Sequence, residues 1–177
     1  MALRFTDEQT FFIADTHFFH TNIIDFENRP FSSVKEMNEV LINNWNKAVT
    51  GADRVFLLGD FSFGNKEKQR EIAQRLNGHK ILITGNHDNY SVKHYMSIGF
   101  EEVYRYPIIL DQFWILSHYP LYINKNMPYA NIFGHVHSNP QYSDYSNQSI
   151  VVSVEREHMN YRPISFARIK ELLGTPE

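Results

Sequence analysis

Five short polar motifs punctuate the chain in this order: Asp15-Thr16-His17, Gly59-Asp60, Gly85-Asn86-His87-Asp88, Ser117-His118 and Gly134-His135-Val136-His137. Together they supply carboxylates, imidazoles and a carboxamide. That is the donor set for two divalent cations about 3.5–4 Å apart, which can bind a phosphate ester, share a hydroxide and neutralise charge as phosphorus is attacked. Such a pair needs a carboxylate between the ions. Asp60 suits this role because its two oxygens can bridge, and Gly59 before it lets the backbone come close. Asp15 and His17 alternate along what reads as an extended segment, so their side chains share a face and can grip one ion; His135 and His137 have the same spacing. Asn86 offers a neutral carbonyl oxygen, which leaves positive charge to attract phosphate, and His118 completes the second ligand set.

For these residues to meet, each motif must leave the end of a strand on one rim of a sheet. Phe11-Phe12-Ile13-Ala14, Arg54-Val55-Phe56-Leu57-Leu58 and Lys80-Ile81-Leu82-Ile83-Thr84 are apolar runs of strand length that deliver the first three motifs. Between them lie helical patterns. Ser33 and Glu36 form a capping box; Val34, Met37, Leu41, Trp45 and Ala48 make one stripe, and Gly51 ends it. Residues 66–76 form a second helix that stops at Asn77-Gly78. This alternation is the grammar of a parallel sheet. The second half is richer in strands: residues 102–110 and 113–117 form a hairpin about Asp111-Gln112, Asn131-Ile132-Phe133 leads to Gly134, residues 149–154 are another strand, and residues 165–173 are a helix closed by Gly174. Residues 18–31 are irregular, a loop of the kind that holds substrate.

At 177 residues, with 42% hydrophobic and 15% aromatic content, the expectation is one domain, residues 1–177, with a packed core. A net charge of −3 argues against a general polyanion binder, so long nucleic acid is a disfavoured partner. The chain has no cysteine and nine histidines, which excludes thiolate ligands and makes imidazole the main nitrogen donor. Residues 1–10 are polar where a secretory signal needs an apolar core, and no run is long enough to span a bilayer. A cytoplasmic protein without membrane contact is expected.

The five motifs resemble those of the calcineurin-like metallophosphoesterases, whose hallmark is the series D-x-H, G-D, G-N-H-[DE], H and G-H-x-H. All five blocks occur here in that order. The longer stretches Asp15-Thr16-His17-Phe18-Phe19-His20, Asn28-Arg29-Pro30-Phe31 and Asn160-Tyr161-Arg162-Pro163 are similar to small single-domain phosphoesterases of bacteria and their phages. The resemblance implies a mixed α/β, four-layer αββα sandwich of two mixed sheets flanked by helices. It also implies Asp15, His17 and His137 on one ion, Asn86, His118 and His135 on the other, and Asp60 between them. His87 is implied as the group that stabilises or protonates the leaving oxygen, with Asp88 orienting its imidazole. The implied reaction is attack by metal-bound hydroxide, with manganese, iron, zinc, nickel or cobalt as fitting ions.

The expected substrate is a small nucleotide or phosphodiester. A nuclease acting on nucleic-acid diesters and a non-catalytic protein-binding module on the same scaffold are the alternatives. Asn86, His87 and His20 are candidate substrate contacts, and Arg29 is the natural bidentate grip on phosphate. Tyr161 and Arg162 are candidates for the opposite wall. His79, His94 and His158 lack motif context, and Phe61-Phe63 reads as core packing rather than base stacking.

Overall fold

The computed structural model describes residues 5–124, 126, 128–142 and 148–174, so the first four residues of the polar segment 1–10 lie outside the described residues. β1 (Thr10–Ile13) leads through the one-turn helix α1 (Ile23–Phe26) and the long α2 (Val34–Ala48) to β2 (Arg54–Leu57). Helix α3 (Lys66–Arg75) carries the chain to β3 (His79–Ile83), and α4 (Val92–Ile98) carries it to β4 (Phe100–Tyr104). These strands run parallel in the order β4-β3-β2-β1. A second sheet follows from β5 (Ile108–Leu110), β6 (Trp114–Leu116), β7 (Ala130–Phe133) and β8 (Ser149–Val151), antiparallel only between β5 and β6. β9 (Ile164–Ser165) returns to pair antiparallel with β1 and runs into α5 (Phe166–Leu173). Among the described residues the architecture is a mixed α/β sandwich with two mixed sheets and five α-helices. No helix among the described residues is long and apolar enough to cross a membrane.

Two features join the sheets. Phe166, at the head of α5, meets Phe12 of the first sheet at 5.3 Å between ring centroids and Trp114 of the second at 5.1 Å, both edge to face. Beyond the strand ends, Ala14 pairs with Ser153: its N–H donates to Val152 O at 2.9 Å, and its carbonyl accepts from Val154 N at 3.2 Å. The segment after β8 thus crosses to the end of β1. Residues 152–154 therefore serve as a seam between sheets rather than as the end of the strand expected over 149–154.

The helix expectations need small revisions. Ser33 Oγ accepts from Glu36 N at 3.2 Å, but the Glu36 carboxylate reaches back to Ser32 N at 2.7 Å, so the reciprocal cap is spread over two serines. α2 stops at Val49, which turns extended before Gly51 is reached. The strand expected over 102–110 is two strands in different sheets, because Pro107 lacks the donor a ladder needs. At the hairpin, Asp111 (φ 52°) and Gln112 (φ 59°) both take the left-handed region that a tight connection demands. The expected loop over residues 18–31 contains α1, and the short elements α4 and β9 add to the expected order.

Candidate metal centre

The motifs leave β1, β2, β3, β6 and β7 and converge, but the local backbone differs from the extended form expected. Asp15, His17, Asp60, His135 and His137 all have positive φ, between 46° and 70°. Each pair is brought together by left-handed turns, not by strand alternation. Such conformations cost about 1–3 kcal/mol each and persist where the surroundings enforce them. The turns also pack too closely for side chains at the motif glycines. A Cβ on Gly59 (φ 91°) would stand 2.3 Å from His118 Nδ1, and one on Gly85 would stand 2.2 Å from Asp60 Oδ1.

Two compact groups of donors form within this rim: Asp15, His17 and His137, and Asp15, Asp60 and His118, each with ligand atoms within 4.8 Å of one another. Asp60 Oδ2 stands 3.5 Å from His17 Nε2 and 3.6 Å from His118 Nε2, while its Oδ1 accepts from His87 N at 2.9 Å. Asp15 Oδ2 accepts from His135 N at 2.8 Å and from Ser153 Oγ at 2.5 Å. Its Oδ1 is buried with no hydrogen bond, 4.0 Å from both His118 Nδ1 and His137 Nε2. The structure keeps the His135 ring outside these groups, edge-on to His118 at 5.0 Å and to Tyr119 at 4.6 Å. An open cleft of about 670 Å³ reaches the rim between Tyr119-Pro120 and residues 135–142.

The donor set fits cations on chemical grounds. His118 Nδ1 lies 2.8 Å from Leu58 O, so it carries the proton and its Nε2 presents a lone pair, yet Nε2 faces Asn86 Oδ1 at 2.9 Å. Two acceptors at that separation repel unless a proton or a cation bridges them. His17 Nε2 and His137 Nε2 face each other at 3.3 Å, where a proton or a cation must intervene. The unpaired Asp15 Oδ1 would otherwise be a buried carboxylate oxygen without compensation. Burial pushes the Asp15 carboxyl up to about 6 against the pull of His137 and His118. Burial, then the neighbouring His137 and Arg29, holds His17 well below the usual imidazole range. Burial also opposes charge on His137, but its bond to Glu155 and the nearby Asp15 push it up to about 9.

A layer of charge beneath the rim reassigns Arg29. Its guanidinium is 3% exposed and fully engaged: Nη2 donates to Asp15 O at 2.7 Å, Nη1 to Thr16 O at 3.0 Å, and Nε to Glu155 Oε1 at 2.8 Å. So engaged, it holds the Asp15-Thr16 turn from below, where the sequence had suggested a grip on phosphate. Glu155 in turn accepts from His137 Nδ1 at 3.1 Å, which leaves Nε2 facing the site. Glu155 and Ser153 went unread in the sequence. Their signal was position: both follow a buried strand, as Asp15 and Asp60 do. Because Arg29 is a buried charge with a buried partner, Arg29→Ala should cost about 3–5 kcal/mol, seen as a fall of roughly 6–20 °C in melting temperature. An unchanged melting temperature with phosphate affinity alone reduced would restore Arg29 to the substrate.

Asp88 differs from expectation in the same way. Its carboxylate accepts from Gly85 N and Asp60 N at 2.8 Å and from Phe61 N at 3.1 Å. It staples two motif turns together and does not orient the His87 imidazole; burial pushes its pKa up to about 6. His87 is exposed, its ring 5.6 Å from that of His17. His20 lies flat on Phe63 at 3.8 Å. Tyr161 packs against Phe31, and Arg162 borders a separate hollow with His158 and Arg168. His79 and His94 pair with Glu101 and Gln69.

No family model matches the chain. It is 38% identical over 167 residues to "Uncharacterized protein MJ1445" of Methanocaldococcus jannaschii, which covers 92% of this chain and 90% of that protein. The crystal structure of the protein of unknown function AQ665 from Aquifex aeolicus matches with a TM-score of 0.71 and 30% identity, over 92% of this chain and 98% of that one. The crystal structure of Pseudomonas putida nuclease MPE matches at a TM-score of 0.49 and 21% identity, over 73% of this chain and 62% of that one.

Proposed function

We propose that this chain, which belongs to the same family as protein MJ1445 of Methanocaldococcus jannaschii, is a metal-dependent phosphoesterase of the calcineurin-like metallophosphoesterase type, with residues 1–177 as one domain. The observation that carries this reading is Asp60 Oδ2, set at nearly equal distances, 3.5 and 3.6 Å, from imidazole nitrogens of His17 and His118. Asp15, His17 and His137 would hold one cation and Asn86, His118 and His135 the other. Both share Asp60. Manganese, iron, zinc, nickel or cobalt suits these nitrogen and oxygen donors. When bound, the cations supply charge neutralisation at the phosphoryl group and acidify water.

The protein's own groups do the rest. Glu155 fixes the His137 tautomer, and Leu58 O fixes that of His118, so both rings present Nε2 inward. Asp88 and Arg29 hold the turns bearing Asp60 and Asp15. His87, exposed at the rim and anchored by its N–H to Asp60 Oδ1, can give a proton to the leaving oxygen. The expected result is hydrolysis of a chromogenic phosphodiester in added manganese, lost with a chelator and regained on adding metal back. A panel of nucleotides, cyclic nucleotides, sugar phosphates and oligonucleotides then ranks substrates. Protein that carries two metal ions yet hydrolyses no ester of the panel would be a binding module, and the proposal would fail.

A further inference from the structure

Two phenylalanines stand out by exposure, Phe26 at 66% and Phe63 at 42%, and both lean on the His20 imidazole at the edge of the metal centre. Phe63 lies face to face with His20, ring centroids 3.8 Å apart and planes 7° from parallel; Phe26 meets the same imidazole edge-on at 6.2 Å. Phe63 also comes within 4.8 Å of the His87 ring and 5.4 Å of the His17 ring, both tilted to it rather than stacked. A wall of rings thus runs from a candidate metal ligand out to solvent. The core does not require Phe63: Phe61, two residues earlier in the same turn, is fully buried and fills that place. Exposed apolar surface beside a polar site marks a ligand contact.

We infer that this wall, formed by Phe63, His20 and Phe26, is a nucleobase-stacking subsite, so that the substrate is a nucleoside phosphate. The inference rests on the phosphoesterase reading above. With the phosphate held at the cation pair, the group attached to it lies beside Phe63, and what complements flat aromatic faces there is another flat ring. Phe26 belongs to α1, inside the long segment 18–31, which places one side of the stack on a substrate-holding loop. The net charge of −3 favours a single nucleotide over a long polyanion.

The test compares adenosine 5′-monophosphate with ribose 5-phosphate, which share the phosphate and sugar and differ by the base, in calorimetric titrations of the manganese-loaded protein. Base stacking predicts that the nucleotide binds about 5- to 100-fold more tightly. Phe63→Leu and Phe26→Ala should each move that ratio toward one. Phe26 is a surface residue, so its variant keeps the test informative if Phe63→Leu does not fold. Two ligands of equal affinity, or a preference untouched by both substitutions, would overturn the stacking subsite while leaving the phosphoesterase reading intact. Binding of neither ligand, with manganese present, would overturn both.

Discussion

Asp60→Asn is expected to give a folded protein without the paired cations and the turnover proposed for the unaltered chain. The substitution is nearly isosteric at a position only 2% exposed, so packing survives. The chemistry does not. Oδ2 lies 3.5 Å from His17 Nε2 and 3.6 Å from His118 Nε2, and the carboxylate carries the negative charge that two cations would share. A carboxamide has one acceptor oxygen, and here that oxygen is also wanted at 2.9 Å by the His87 N–H. With oxygen kept there, an NH₂ group points at both imidazoles and repels the cations; turned the other way, the His87 N–H loses its partner. Even ligand-supporting residues cost about 10- to 100-fold in metal affinity. Loss of the shared ligand removes several kcal/mol of charge stabilisation, so diesterase activity should fall by roughly 1,000-fold or more. Metal content by elemental analysis and turnover of a chromogenic diester read this together. A variant that retains two ions per chain and full activity would remove Asp60 from the bridging position.

That Asp60 lies at the rim was legible in the sequence while the burial of Arg29 was not, and the difference comes down to range. Asp60 sits at the end of a buried run, after a glycine, in a series of motifs whose residue types are donors, and every part of that signal is local. The first three strands and helices α2 and α5 share this property, since apolar runs, Ser33, Ser165 and Gly174 declare them within a few residues. Arg29 gives the same local signal whether it faces solvent or the interior. Its role is set by Glu155, 126 positions away, and by two carbonyls of a turn. Asp88 misled in a similar way: adjacency to His87 suggested a partner, yet its oxygens are taken by amides of its own turn and of the turn 27 and 28 residues earlier. The left-handed backbone at Asp15 and His17 also escaped the pattern, because alternation assumes an extended chain. In each case the residue type was legible and the partner was not. The two-residue β9 and seven-residue α4 are too short for periodicity to speak.

His87→Ala separates binding from proton transfer. The substitution removes an exposed ring but retains the N–H that donates to Asp60 Oδ1, so the Asp60 carboxylate stays in place and metal content should be that of the unaltered protein. No compact group of donors among the described residues contains His87, which supports the same expectation. What would be lost is the proposed proton donor to the leaving oxygen, and the loss would depend on how much that oxygen needs a proton. An alkoxide leaving group needs one, and general acid assistance is worth about 100- to 10,000-fold. A p-nitrophenolate leaves without help and should lose far less. The diagnostic is therefore a ratio of kcat values for an alkyl and a p-nitrophenyl ester of the same phosphate, measured in both proteins. Equal losses for the two esters would mean that His87 acts on the phosphoryl charge or on substrate position. The acid role would then pass to water, since Asp88, the other group assigned to this step from sequence, is occupied in holding the turns together.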